Sequence, residues 1–346
     1  MKLIVKAVLL FSVLAIQNQN IVAQGCAPPK SDDGVSVFGF LQPQFETNFL
    51  KDGPEHSFTF NRARIGVTGN VPYDVVYYAV LETSAFKDQN PFLLDAFVSY
   101  QRFSFAKLSI GQFKSPFSLD MATPCHELHT IYRTMAVNNL VSPDRDLGVM
   151  LFGSLKDNLL SYSFALTNGT GKGVFDNNNG KTFHSRVVLA PMKFIRLGGG
   201  LQYGTHPSVV EDASEEDKRF RWAADIQFNH KNFDLIGEYI HGSDKGSYVV
   251  GGGCGGDITI IEGDLNRSGY YITAMYKTPW NLQPVFRYEN WNTDRDTKNR
   301  VEHTMVFGLN YWLNDWSRIQ INYLYRAEER IEIKNDELLI QFQVVF

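Results

Sequence analysis

Leu338-Leu339-Ile340-Gln341-Phe342-Gln343-Val344-Val345-Phe346 changes character at almost every residue. Leu338, Ile340, Phe342, Val344 and Phe346 fall on one side of an extended chain, and Leu339, Gln341, Gln343 and Val345 on the other. Successive side chains of a strand point to opposite faces, so this stretch reads as a strand with one apolar and one mostly polar face. The rhythm recurs upstream. Trp222, Ala224, Ile226 and Phe228 alternate with Arg221, Ala223, Asp225 and Gln227; Leu160, Tyr162, Phe164 and Leu166 alternate with Ser161, Ser163, Ala165 and Thr167. About sixteen such segments follow one another, starting near residues 35, 58, 75, 92, 105, 146, 159, 181, 193, 218, 232, 268, 281, 300, 316 and 337.

The links between segments sort into two kinds. Val71–Asp74, Lys156–Asn158, Pro191–Lys193, His230–Asn232 and Thr278–Asn281 are short. Asn48–His56, Lys114–Asp144, Asn168–Gly180, Thr205–Asp217, Gly242–Arg267, Asn292–Asn299 and Ala327–Asp336 are long, and the two kinds alternate. Short turns at one end and long loops at the other are the signature of a transmembrane antiparallel β-barrel, with periplasmic turns and extracellular loops. A closed barrel leaves no backbone edge unpaired in hydrocarbon. At sixteen strands its lumen is too wide for wall side chains to fill, so polar faces are expected to look into water and apolar faces at lipid.

Composition agrees. No run of about 18 apolar residues follows the N-terminal segment, so helical membrane spans are not expected. Aromatics make up 14% of the chain, with 26 Phe and 16 Tyr, enough for girdles at two membrane interfaces. Lys2 and Lys6 precede the apolar stretch Ala7–Ile16, which reads as a signal peptide over residues 1–23 with cleavage after Ala23. An N-terminal segment (24–34) and the barrel domain (35–346) follow. The formal charge of −4 becomes −6 once those two lysines leave. Three cysteines build no disulfide framework, although Cys125 and Cys254 could pair between loops. No cofactor and no nucleic-acid partner is expected, and nothing argues for an enzyme.

Four motifs carry a resemblance over residues 37 to about 190: Phe60-Asn61-Arg62-Ala63-Arg64-Ile65-Gly66-Val67-Thr68-Gly69, Ile110-Gly111-Gln112-Phe113-Lys114-Ser115-Pro116-Phe117, Ser142-Pro143-Asp144-Arg145-Asp146-Leu147-Gly148-Val149 and Asn168-Gly169-Thr170-Gly171. In order and spacing this resembles the phosphate-selective porin O/P family. The resemblance implies a homotrimer of sixteen-stranded barrels in the outer membrane of a Gram-negative bacterium. It further implies a third loop folded into the pore, and a terminal strand ending in Phe that the barrel-insertion machinery reads. Outer-membrane lipids and small anionic or hydrophilic solutes are the expected partners.

Alternation assigns Arg62, Arg64, Lys107, Arg186, Arg196, Arg219, Arg221, Lys277, Arg287, Arg318 and Arg326 to the lumen. Glu82, Asp95, Asp225, Asp234, Glu238, Glu289 and Glu302 face them. Eleven basic against seven acidic residues, in a chain that is acidic overall, favours anions, since rings of Arg and Lys in a confined channel attract them. A competing reading pairs each arginine with an acid opposite; two inward cations on one strand, as at Arg62/Arg64 and Arg219/Arg221, fit pairing less well. The link Lys114–Asp144 is too apolar for a solvated loop. Folded inward as a constriction, it would bring Lys114, Phe117, His126, His129, Tyr132 and Arg133 to the pore. Cys125-His126-Glu127-Leu128-His129 has metal-ligand residue types but lacks a completing cluster, so no metal is expected. Two other functions compete with a passive channel: a non-conducting structural or docking barrel, and a hydrolase assembled from Asp225, Asp234 and His241.

Overall fold

The computed structural model describes residues 34–346 except 51–52, 72–73, 85–89, 157, 177–178, 207–216 and 252–257, with backbone alone at 206, 247–251 and 258–262. The expected signal segment, Cys254 and most of the acidic stretch Glu211–Asp217 lie outside the described residues. Sixteen antiparallel strands pair in sequence order and close into a barrel. They are β1 (Val35–Leu50), β2 (Gly53–Val71), β3 (Val75–Glu82), β4 (Phe92–Phe103), β5 (Ala106–Lys114), β6 (Arg145–Leu155), β7 (Leu160–Thr167) and β8 (Thr182–Met192). The second half holds β9 (Ile195–His206), β10 (Asp217–His230), β11 (Phe233–Gly251), β12 (Ile258–Tyr276), β13 (Leu282–Asn292), β14 (Val301–Asn314), β15 (Ser317–Glu328) and β16 (Asp336–Val345).

The stretch that opened the reading is β16. It closes the ring against β1, with Phe40 opposite Val345 and Gln44 opposite Gln341. Phe346 and Gly39 exchange both backbone hydrogen bonds, at 2.8 and 3.0 Å. Ile340, Phe342 and Phe346 are exposed to the lipid side, while Leu339, Gln341 and Gln343 are buried inside. The same split holds on the other strands. The short turns carry left-handed residues, Asp74, Lys156, Asn158, Lys231 and Asn281, which the right-handed twist of tight hairpins demands.

Two expected loops turn out to be ladder. β1 runs to Leu50 and β2 starts at Gly53, so the link Asn48–His56 is largely strand; β11 and β12 pair out to Gly251 and Ile258 within the link Gly242–Arg267. Above the bilayer both faces meet water, so apolar alternation stops while backbone pairing continues. The wet-lumen expectation also needs correction. Phe38, Tyr78, Val80, Phe97, Met150, Phe152 and Ala165 form a packed apolar cluster on the inner wall of β3–β7 and its neighbours. VVYYAVLE of β3 is apolar on both faces, so alternation gave no hint of the inner one.

Residues 115–144, between β5 and β6, enter the barrel and carry two short helices, α1 (Leu119–Ala122) and α2 (Met135–Leu140). Phe117, Met121, Ala136, Val137, Leu140 and Val141 pack on Ala223, Ile240 and Trp291 of the wall. Glycines make the seat. A Cβ at Gly200 would overlap the carbonyl oxygen of Phe117, one at Gly242 would lie 2.7 Å from Leu140 Cδ2, and one at Gly269 2.7 Å from Ala136 Cβ. Such overlap costs about 1–3 kcal/mol in a packed contact. Gly200→Val is therefore expected to unseat the loop: limited proteolysis should cut within residues 115–144 in the variant but not in the parent, with the barrel intact. Equal resistance would contradict the seat.

Candidate functional site

The site is the eyelet between this loop and the inner wall. Wall carboxylates hold the loop's helix starts. Glu238 accepts from the backbone N–H groups of Leu119 (2.7 Å) and Asp120 (3.1 Å) and from Ser118 Oγ (3.2 Å). Glu289 accepts from Met135 N at 2.7 Å. The first N–H groups of a helix have no partner within it, so a carboxylate there satisfies and attracts them. Within the loop, Asp120 accepts from Thr134 N and Oγ1 and pairs with Arg133.

Wall cations and amides serve the loop's carbonyls. Arg318 Nη2 donates to His126 O (2.7 Å), Arg287 Nη1 to Tyr132 O (2.9 Å), Arg221 Nη1 to Ser142 O (3.0 Å) and Arg186 Nη1 to Phe117 O (3.4 Å). Gln343 donates to His126 O, Gln320 to Leu128 O, and Asn310 to His129 O. The amide side chains of β13–β16 thus form a polar seam for residues 126–131. Tyr132 reaches Gln44 and Glu46 on β1.

Most of the expected anion contacts are also paired with acids. Arg64 binds Glu82 at 2.7 Å, Arg287 binds Glu289 at 2.6 Å, and Arg186 takes Asp225 through two bonds of 2.7 and 3.0 Å. Arg219 and Arg221 share Asp244, not Asp225. Asp244 escaped the sequence reading because its segment was taken for loop. Arg326 pairs with Glu337 and Lys277 with Asp234. Lys107 lies over the Phe152 ring, and Arg196 is half-buried across from Gln227; both belong to the short-turn end, away from the loop. The pairing reading therefore accounts for Arg219/Arg221.

Arg62 and Arg318 behave differently. A bulge at Asn61 turns Asn61 and Arg62 inward together. Arg62 donates to Gln42 Oε1 (3.0 Å), Gln42 to Gln343 Oε1 (2.8 Å), and Arg318 to the same Gln343 oxygen (3.0 Å). Neither arginine forms an ion pair among the described residues. Beside them, Arg64 and Arg133 donate to Cys125 Sγ at 3.1 and 3.5 Å, and Lys114 is fully buried at the loop's start. Cys125 is buried and packs on Phe40, and its expected bridge to Cys254 falls outside the described residues. His126 lies tilted against the Phe40 ring, with centroids 5.5 Å apart, while His129 meets Gln283, which gives the two imidazoles of the suspected metal motif different partners. The hydrolase set also dissolves: Asp225 and Asp234 face inward, whereas His241 lies on the opposite face of the sheet beside Trp222 and Arg295.

The model of the family described as phosphate-selective porin O and P matches residues 44–226, more than half of the chain. The chain belongs to this family. It is accordingly an outer-membrane porin. Among solved structures, it resembles an anion-selective porin from Comamonas acidovorans (TM-score 0.69, 12% identity, 90% of this chain and 99% of that one). The outer membrane channel DcaP of Acinetobacter baumannii is similar at TM-score 0.66 and 13% identity, covering 93% and 100%. OmpT of Vibrio cholerae in its trimer form follows at 0.64 and 11%, covering 91% and 100%. At these identities the likeness is one of fold. No curated protein matches the chain.

The family's motifs now have physical work. In the porin's third motif Arg145 binds Asp95 and Asp144, and Asp146 accepts from Gly169 N and Gly171 N of the fourth. Gly169 and Gly171 adopt φ of +88° and +97°, which suits glycine and lets both N–H groups converge on one carboxylate. The sequence showed the motifs, not that they clasp the loop's return to β6.

Burial, with Arg318 and other cations nearby, lowers the pKa of His126 and His129 to about 4. The folded loop holds both neutral, whereas an unfolded chain protonates them below about 6.5. Between about 6.5 and 4 the unfolded state binds more protons, so stability falls as pH drops through this window and flattens below it. The unfolding midpoint should decrease from pH 7 to 4.5, and less so in His126→Asn/His129→Asn. An identical pH dependence in that variant would remove the histidines from the account.

Proposed function

We propose that the porin is a passive diffusion channel for small hydrophilic solutes with a preference for anions, phosphate and polyphosphate among them. One observation carries the reading: Arg62 and Arg318 face the eyelet without a carboxylate partner, bracketing the Gln42–Gln343 pair. An anion passing there meets the part-exposed guanidinium fork of Arg62, whose planar donors match phosphate or carboxylate oxygens, while Arg318, buried and donating to His126 O, acts through its unneutralised charge. Lys114 adds to the local positive potential, and the paired arginines, Arg64 and Arg133 among them, keep the eyelet's shape. Nothing in this scheme consumes free energy.

A homotrimer fits the outer surface. Tyrosine and tryptophan on the lipid side near the long loops, Trp222, Tyr239, Tyr270, Tyr288 and Tyr323, belong to β10–β15, while β1–β6 present mainly Val, Leu and Ile. Interfacial aromatics mark lipid contact, which supports subunit contact through β1–β6. Residues 1–23 serve as the export signal, and β16 with Phe346 as the element read by the insertion machinery.

A second reading, a non-conducting structural barrel, has one observation in its favour: the loop touches β1, β2 and β8–β16 in crossing the lumen. Planar-bilayer recording separates the two. Conductance, with a reversal potential directed by the anion in a salt gradient, is expected; no current would sink the channel, and cation-directed reversal the selectivity. Arg62→Ala and Arg318→Ala should each lower the anion-to-cation permeability ratio about fivefold, what ~1 kcal/mol of Coulomb attraction gives. Arg219→Ala should leave it nearly unchanged.

A further inference from the structure

The turn end of the barrel is not electrically uniform. Three successive short turns each present one exposed lysine: Lys156 between β6 and β7, Lys193 between β8 and β9, and Lys231 between β10 and β11. None of the three forms an ion pair among the described residues. Each sits next to lipid-facing apolar side chains: Leu155 and Leu159 flank Lys156, Met192 and Phe194 flank Lys193, and Phe233 follows Lys231. Their ammonium groups therefore stand at the boundary between hydrocarbon and headgroups, where long cationic side chains settle with stem in apolar surroundings and charge in water. The aromatic rings of Phe194 and Phe228 pack edge-to-face at this level. Two of the other turns carry acid instead, Asp74 between β2 and β3 and Asp315 between β14 and β15, both exposed, while Arg102 and Lys277 stand at the turns next to the row.

We propose that this β6–β11 arc is a docking surface for anionic phospholipid headgroups of the leaflet at the turn end. The proposal rests on the membrane-barrel reading and on that end being periplasmic. Charge complementarity chooses the occupant: a row of exposed lysines at headgroup depth, without an ion pair among the described residues, attracts phosphate-bearing lipids with net negative charge, and each contributes roughly fivefold in local enrichment. The arc meets the aliphatic β1–β6 face only at β6, so trimer assembly through that face would leave Lys193 and Lys231 against lipid, with Lys156 at its border. An acidic periplasmic protein is the other occupant such charges attract, but the flanking Leu, Met and Phe place the lysines beside acyl chains.

The test is lipid retention by the full mature chain. Protein folded into vesicles of equal phosphatidylglycerol and phosphatidylethanolamine is exchanged into mild detergent, and retained lipids are counted by mass spectrometry. The wild type should hold phosphatidylglycerol over phosphatidylethanolamine by fivefold or more. Lys156→Gln/Lys193→Gln/Lys231→Gln should hold the two nearly equally, while Lys245→Gln/Lys298→Gln/Lys334→Gln, with the same charge loss at the long-loop end, should behave as wild type. No preference in the wild type, a preference kept by the turn-end variant, or equal loss in both variants would overturn the proposal. Conductance of the same variants reports folding and channel formation separately, so loss of lipid preference with current intact cannot be mistaken for failure of the channel reading.

Discussion

A thirty-residue segment carried into a barrel must find a partner for every polar backbone group it brings. Connecting segments normally stay on the surface because water satisfies them there. Here the wall replaces water. Carboxylates of Glu238 and Glu289 meet the N–H groups that begin two helices, and Arg186, Arg221, Arg287 and Arg318 meet carbonyl oxygens. Truncating one such partner leaves a buried donor or acceptor unsatisfied, at about 1–3 kcal/mol. The inward charges are thus first a docking surface for the protein's own chain. What remains for solutes is Arg62, which serves no loop carbonyl, and the charge of Arg318 that no carboxylate neutralises.

That division explains what the sequence could and could not say. Strand count, turn alternation and closure were legible because a two-residue period and hydrocarbon on one side leave few options. The inner wall was legible only as a list of charges. Alternation tells which way Arg219 and Arg221 point, but not that both reach Asp244, since that acid sits in a hairpin extended beyond the bilayer where the pattern fades. The glycines at 200, 242 and 269 carried no periodic signal at all. Their meaning comes from Phe117, Leu140 and Ala136, which are distant in sequence. Arg62 was assigned inward by alternation, yet the bulge at Asn61 shows that strict counting along β2 reaches the right face through an irregularity.

Sorting the cations also separates two physical jobs that a charge census merges. Paired arginines such as Arg186 with Asp225 are rigid, nearly neutral units, well suited to fixing shape. Arg62 and Arg318, held by neutral amides, keep their full charge while their orientation is fixed. Selectivity by potential and stability by pairing can therefore be altered independently.

Gln42 and Gln343 stand 301 positions apart in the chain yet share a hydrogen bond across the seam of β1 and β16. The loop spans that same seam, with Tyr132 on Gln44 at one side and His126 O on Gln343 at the other. Closure therefore has an order of assembly built into it. Until the final strand arrives, His126 O lacks Gln343 and the Gln42 amide lacks its partner across the seam, and a ring shut without the loop would leave the inward amides of β13–β16 short of the carbonyls they serve. The last zip of the barrel and the seating of its filter are one cooperative event, so the time needed to bring the two most distant parts of the chain together also governs when the channel acquires its gauge.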